Sequence, residues 1–218
     1  MNLFTLKSFD EFAGLVAHLP FKSLLRGESR LYPHLTPKIG RRPSELPGDI
    51  IGIERDCLRL FKLHGRAYLS GIENPWEIIA MAQHHGLPTR LLDWTYNPAV
   101  ALFFAVRRHP DENGFIYTIT PPHEVDLQKN PDPLQVNDFV LIYPPRHHPR
   151  LVAQDSAFTV HPFPFDRKIA LIPRTRYEIP APLKHELSLR LDTFGFTEAS
   201  LFPGLDSLAS WIAAMKGW

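Results

Sequence analysis

The chain has 218 residues, one cysteine and nearly balanced charge, with 24 Lys and Arg against 23 Asp and Glu. Its apolar and charged fractions are those of an ordinary globular domain, which excludes a disordered chain, an acidic tail or a uniformly basic coat for nucleic acid. With Cys57 alone, an intrachain disulfide and a cysteine-based zinc site are excluded as well.

Ser8 and Glu11 have the spacing of a capping box, and Phe12, Leu15, Val16 and Leu19 follow at helical spacing, so residues 1–20 are expected to carry an amino-terminal helix that stops at Pro20. The opening MNLFTLKSFDEF has no basic region followed by an apolar core, so it does not read as a signal peptide. Phe21 to Gly27 reads as a short strand ending in a tight turn, and Arg30 to Pro43, with three prolines and Gly40, as a loop. The period of 3.6 predicts a long helix from about Gly48 to Leu69. Pro75 can open a further helix at its first turn, closed by Gly86 and Pro88.

A short strand is expected over Thr89 to Leu92. Asn97-Pro98 then begins a helix whose residues Ala99 to Val106 are all apolar, too short to span a bilayer and apolar all round, hence buried. Gly114 to Thr120 alternates as a strand. Of 22 prolines, twelve fall between Pro121 and Pro182, so 121–182 reads as short strands between proline-rich turns, with candidates at Phe139–Tyr143, Ala157–Val160 and Lys168–Ile172. Pro182 to Leu191 returns to helix. Leu205 to Met215 reads as a closing helix with Leu208, Trp211 and Ile212 on one face. The pattern predicts a single α+β domain over residues 1–218, a small split β-sheet flanked by helices. No apolar run is long enough to cross a membrane, and the reducing cytoplasm is the expected compartment.

Three clusters could carry chemistry. Gln83, His84, His85, Thr89, Arg90, Asp93, Trp94 and Thr95 crowd into 13 positions at a turn, a strand and the mouth of the buried helix. A helix amino terminus offers unpaired N–H groups and a positive dipole end, which suit phosphate or carboxylate. A structural reading stands beside it: Thr95 or Asn97 caps the helix, Asp93 pairs with Arg90, and Trp94 packs. The second cluster is Arg26-Gly27-Glu28-Ser29, in a stretch from Lys22 to Arg42 with a local excess of five positive charges. An arginine fork beside glycine can grip phosphate in two places, and a solvated basic loop is the alternative. The third is Glu198, between two helical segments, where a surface carboxylate near a cap is the plainer reading. The pairs His84-His85 and His147-His148 point apart on any helix, so no metal is expected. Arg146 to Arg150 reads as a solvated basic turn.

Leu25-Arg26-Gly27-Glu28-Ser29, then Gln83 to Thr95 (QHHGLPTRLLDWT), Asn97-Pro98 with Ala101-Leu102-Phe103-Phe104-Ala105, and Leu201 to Asp206 (LFPGLD) together resemble the FRG domain family across about Phe21 to Leu208. Leu25 stands where the namesake aromatic is usual, and Gly204 where an acidic residue is usual. The layout is similar to that of ADP-ribosyltransferases: an Arg on a first strand, a Thr-ended strand leading into an Ala- and Phe-rich helix, and a later glutamate. That similarity implies NAD as substrate. Arg26, Thr95 and Glu198 would then be the catalytic set: Arg26 holding pyrophosphate or ribose, Thr95 steadying the site, and Glu198 facing the ribose to stabilise an oxocarbenium-like state. Gly27, Glu28, Gln83, His84, His85, Thr89, Arg90, Asp93 and Trp94 would line the substrate. The acceptor would be protein, nucleic acid or water. Two rivals remain open: a noncatalytic module that binds a nucleotide or a partner, with Trp94 as stacking face and Arg26 and Arg90 as anion donors, and a nuclease using His84 or His85 with Asp93 and Arg90.

Overall fold

Ser8 caps the first helix, its hydroxyl accepting from the Glu11 N–H at 3.1 Å, while the Glu11 carboxylate reaches back to the Lys7 N–H at 2.8 Å. A simpler side-chain cap opens three more helices: Asp49, Asn74 and Asn97 each accept from a backbone N–H two residues on. The computed structural model describes residues 2–32, 35–41, 49–143, 149–162 and 174–218. Within them the helices are α1 (Phe9–His18), α2 (Ile50–His64), α3 (Pro75–His84), α4 (Pro98–Val106), α5 (Pro149–Ala153), α6 (Ala181–Thr193), α7 (Glu198–Leu201) and α8 (Leu205–Met215). The strands are β1 (Asn2–Thr5), β2 (Leu24–Glu28), β3 (Leu91–Thr95), β4 (Gly114–Ile119), β5 (Val140–Ile142), β6 (Ser156–Val160) and β7 (Arg174–Ile179).

The strands form one mixed sheet in the order β1-β7-β4-β2-β3-β6-β5, parallel only between β1 and β7, and the fold is α+β. It is split in the middle. β2 runs along β4 over five residue pairs, and β3 runs along β6 over five, but β2 and β3 pair at one position, Leu25 opposite Thr95. Alternation puts Leu25, Leu91, Asp93, Thr95 and Phe158 on one face. The helices sit on that face on either side of the split. Val100, Ala101, Leu102 and Ala105 of α4 pack with Leu25, Ile116 and Leu187. Trp76 and Ile79 of α3 pack with Leu91, Phe158 and Val160. On the opposite face Leu24, Leu92, Trp94 and Tyr117 form a third core.

Several boundaries differ from the sequence reading. The central strand is Leu91–Thr95, not Thr89–Leu92, because side chains take the backbone ahead of it: Glu54 accepts the Arg90 N–H at 2.7 Å and the Thr89 hydroxyl accepts the Leu91 N–H at 3.1 Å. α2 stops at His64, with Gly65 at its C-cap, well short of Leu69. β1, α5, α7 and β7 were not anticipated, and the expected strand at Lys168–Ile172 lies outside the described residues. α8 forms where expected; its Leu208 and Ile212 are exposed, and the helix rests chiefly on α7.

α4 lies so close to the sheet that its backbone meets two glycines. A Cβ at Gly27 in β2 would overlap the Ala101 carbonyl oxygen, and one at Gly114 in β4 the Ala105 carbonyl. Neither clash can be relieved by turning a side chain, since both obstacles are backbone. Gly27→Ala is therefore expected to destabilise the fold by about 2 kcal/mol or more, the scale of overpacking a tight core. Urea unfolding reads this directly, and an unchanged midpoint would contradict the close seating of α4.

Candidate functional site

The split between β2 and β3 opens into a cavity of about 680 Å³ between α3 and α4, and all three sequence clusters reach it. β2 contributes Arg26, Gly27, Glu28 and Ser29. The end of α3 contributes Gln83, His84 and His85, β3 contributes Asp93, Trp94 and Thr95, and α7 contributes Glu198. A pocket of this size suits a small-molecule ligand.

Arg26 spans the split. It donates through Nη1 to the Asp93 carbonyl oxygen at 2.7 Å and through Nε to the Glu28 carboxylate at 2.8 Å, and Nη2 stands 2.6 Å from the same Glu28 oxygen. The Asp93 carboxylate is 3.6 Å from Nη1. Burial opposes the charge, but Glu28 and Asp93 more than offset it, and the guanidinium pKa is raised. Asp93 is held in turn by Gln83, whose amide donates to it at 2.8 Å, and Gln83 accepts from the Thr89 hydroxyl at 2.7 Å. Thr89 thus orients the site from beneath and does not line it. Arg41, 3.8 Å from Glu28, is lowered in pKa by burial and by its neighbour Arg26.

Thr95 ends β3 with its hydroxyl doubly used. It donates to the Gln154 carbonyl at 2.7 Å and accepts from the Asn97 N–H at 3.0 Å, and the Gln154 side chain donates onward to the Leu201 carbonyl at 2.8 Å. One hydroxyl therefore ties β3 to the start of α4 and, through Gln154, to α7. Trp94 touches the cavity but packs in the core of the opposite face, its indole N–H donating to Thr159 at 2.8 Å. It offers no open ring for stacking, unlike the sequence-based expectation. Thr159 also meets His161, whose pKa burial lowers to about 3, with the charge of Arg26 adding to the effect.

Arg90 is the clear departure. Its Nε donates to Glu54 at 2.8 Å and Nη1 donates to the Leu134 carbonyl at 3.1 Å, both deep beneath the cavity floor. The residue is 2% exposed and does not line the cavity. It pairs with Glu54, not Asp93, so the constellation of His84 or His85 with Asp93 and Arg90 is not assembled. Glu54 comes from the middle of α2, far from this motif in sequence.

At the far end of the cavity stand residues that sequence reasoning did not select. Arg107 follows the last turn of α4 and donates through Nη2 to Glu198 at 2.6 Å. Its guanidinium carbon lies 4.3 Å from the centre of the Phe202 ring, and that of Arg150, from α5, lies 4.2 Å from the same ring. Burial lowers both pKa values, that of Arg107 to about 10. Arg150 also donates to the His84 carbonyl at 3.3 Å. Signals existed for all three. Arg107-Arg108 closes an otherwise apolar helix, Arg150 ends a basic stretch, and Phe202 lies inside the LFPGLD motif.

Among the described residues no group of three His, Cys, Asp or Glu side chains could hold a metal ion, and no helix is long and apolar enough to cross a membrane. Residues 22–114 match the family model of the FRG domain. That stretch supplies Arg26, the Gln83 to Thr95 segment and Arg107, while Arg150, Glu198 and Phe202 come from outside it. None of the curated proteins and none of the solved structures matches the chain.

Because Arg90 is buried beneath the site against Glu54, its one carboxylate partner among the described residues, Glu54→Gln strands a buried cation. A loss of about 3–5 kcal/mol is expected, the cost of breaking a buried pair from one side. Chemical denaturation measures it. A variant as stable as the parent would show that Arg90 has another counter-charge.

Proposed function

We propose that the cleft binds a nucleotide bearing a pyrophosphate and that the protein is an ADP-ribosyltransferase-like enzyme acting on NAD, with Glu198 as its catalytic carboxylate. One observation carries the reading: Arg26, Thr95 and Glu198, far apart in sequence, line the same cavity. On this reading the bond between ribose C1′ and the nicotinamide nitrogen breaks, and neutral nicotinamide leaves with the bonding pair. The ribose passes through an oxocarbenium-like state, which the Glu198 carboxylate stabilises electrostatically. A water, or a hydroxyl or amine of a protein or nucleic acid, attacks C1′ and gives up a proton to solvent. Arg26 is engaged on three sides, so its part is to hold the cleft open at a fixed width. Thr95 keeps α7, and so Glu198, in register with β3.

A second reading is favoured by the short pair between Glu198 and Arg107. There the carboxylate is only a counter-ion, and the same cleft binds a nucleotide without turnover. Nicotinamide release from NAD separates the two. Glu198→Gln keeps the shape and removes the negative charge, so turnover is expected to fall about a hundredfold or more, the range for losing one electrostatic stabiliser. Turnover equal to that of the parent would remove Glu198 from catalysis. NAD binding with no release by the parent, with or without added lysate, would establish the binding module instead.

A further inference from the structure

Among the described residues, α8 is the one α-helix without a buried residue. Its sequence, LDSLASWIAAM, is nonetheless apolar. Leu205, Leu208, Ile212 and Met215 recur at intervals of three, four and three, the spacing that lays four side chains along one stripe of a helix. All four are exposed, Leu205 at 84%. The helix leans on the body by another side, where Ser207 and Trp211, one turn apart, are half-buried. At its end the Gly217 N–H donates to the Ala214 carbonyl and the Trp218 N–H to the Ala213 carbonyl, both at 3.1 Å. Gly217 takes the φ of 80° that this turn needs, and the turn ties Trp218, 96% exposed, back to the same helix. Apolar surface gathered in this way marks an interaction site.

The charges of α8 say which partner fits. Asp206 in the first turn and Lys216 at the C-cap are the two charged residues of the helix, so it carries no net charge to recruit a charged peptide or an anionic lipid surface. The stripe does fit itself. In an antiparallel pair centred on Ser210, Leu205 of one copy meets Met215 of the other, Leu208 meets Ile212, and Asp206 comes near the partner's Lys216 at each end. A parallel pair would set Asp206 beside Asp206 and Lys216 beside Lys216. The antiparallel pair also opposes the two helix dipoles. We infer that α8 is a self-association helix, through which two copies of this chain pair antiparallel along Leu205, Leu208, Ile212 and Met215. Such a seam presents the same residues from both copies, as a twofold dimer requires. A seam of one 11-residue helix is short, so the dimer is expected to be reversible, at the lower end of stable interfaces, about 1,200 Å² in total. The inference is independent of what the cleft binds.

Sedimentation velocity across a concentration series reads the association directly. The full chain is expected to pass from monomer to dimer in the micromolar range. Leu208→Glu and Ile212→Glu each place a carboxylate in the seam and are expected to weaken the dimer about a hundredfold or more, the scale of burying an unpaired charge. Both positions are exposed in the protomer. Thermal melting of either variant, at concentrations where the parent is monomeric, is therefore expected to match the parent, which separates lost association from lost fold. Asp206→Lys and Lys216→Asp each set like charges at the ends of the seam and are expected to weaken the dimer about threefold, as befits exposed ion pairs. The chain carrying both exchanges is expected to regain the parent's affinity, a pattern that only the antiparallel pair gives. A parent that stays monomeric at hundreds of micromolar, a dimer indifferent to both glutamate substitutions, or a stripe that binds uncharged phosphatidylcholine vesicles in place of a second copy overturns the inference. Single charge exchanges without effect overturn the antiparallel pairing.

Discussion

Arg26 joins two half-sheets that the backbone itself joins at a single residue pair. On one side of it β2, β4, β7 and β1 form a ladder against α4, and on the other β3, β6 and β5 form a ladder against α3. The guanidinium donates to the Asp93 carbonyl in place of a ladder hydrogen bond, and its other donors run to Glu28. Charge-assisted bonds of this kind are roughly twice as strong as neutral ones, so a side chain can do there what a backbone amide does elsewhere. The cavity exists because the strands part at this point. Arg26 bridges that parting, from Glu28 on β2 to Asp93 on β3.

The same constraint explains how the polar residues of the site divide. Thr89, Gln83 and Asp93 form a chain of donors and acceptors that ends on Arg26, and Thr95 and Gln154 form another that ends on α7. Both chains leave few donors open to a ligand. Beyond them, at the α7 end, Arg107 pairs with Glu198 and stands, like Arg150, over the ring of Phe202.

Much of this was legible in the sequence, for local reasons. Ser8 and Asn97 announce helices because an Asx or Ser cap acts within three residues, Pro75 because it fits a first turn, and the apolar run after Pro98 can only be a buried helix. The motif from Gln83 to Thr95 is dense enough in polar side chains to mark the site. What stayed hidden depends on long-range pairing. Nothing local tells Arg90 that Glu54 lies beneath it, or that Arg26 will find the Asp93 carbonyl. β7 alternates Arg174, Arg176 and Glu178 with Thr175, Tyr177 and Ile179, yet its proline-rich approach drew attention to residues 168–172. Arg107 and Arg150 look like solvated surface until Phe202 is folded between their helices, so basic residues at the end of a helix and in a basic turn gave no hint of a shared ring.

The central claim is that Arg26, held by Glu28 and the Asp93 carbonyl, builds the cleft in which Glu198 meets the proposed ligand. A crystal structure of the protein soaked with ADP-ribose tests it most directly. The account predicts ADP-ribose in the cleft with its ribose beside Glu198, and Arg26 still bound to the Asp93 carbonyl. ADP-ribose seated elsewhere, or Arg26 released from Asp93 to take the diphosphate, would contradict it.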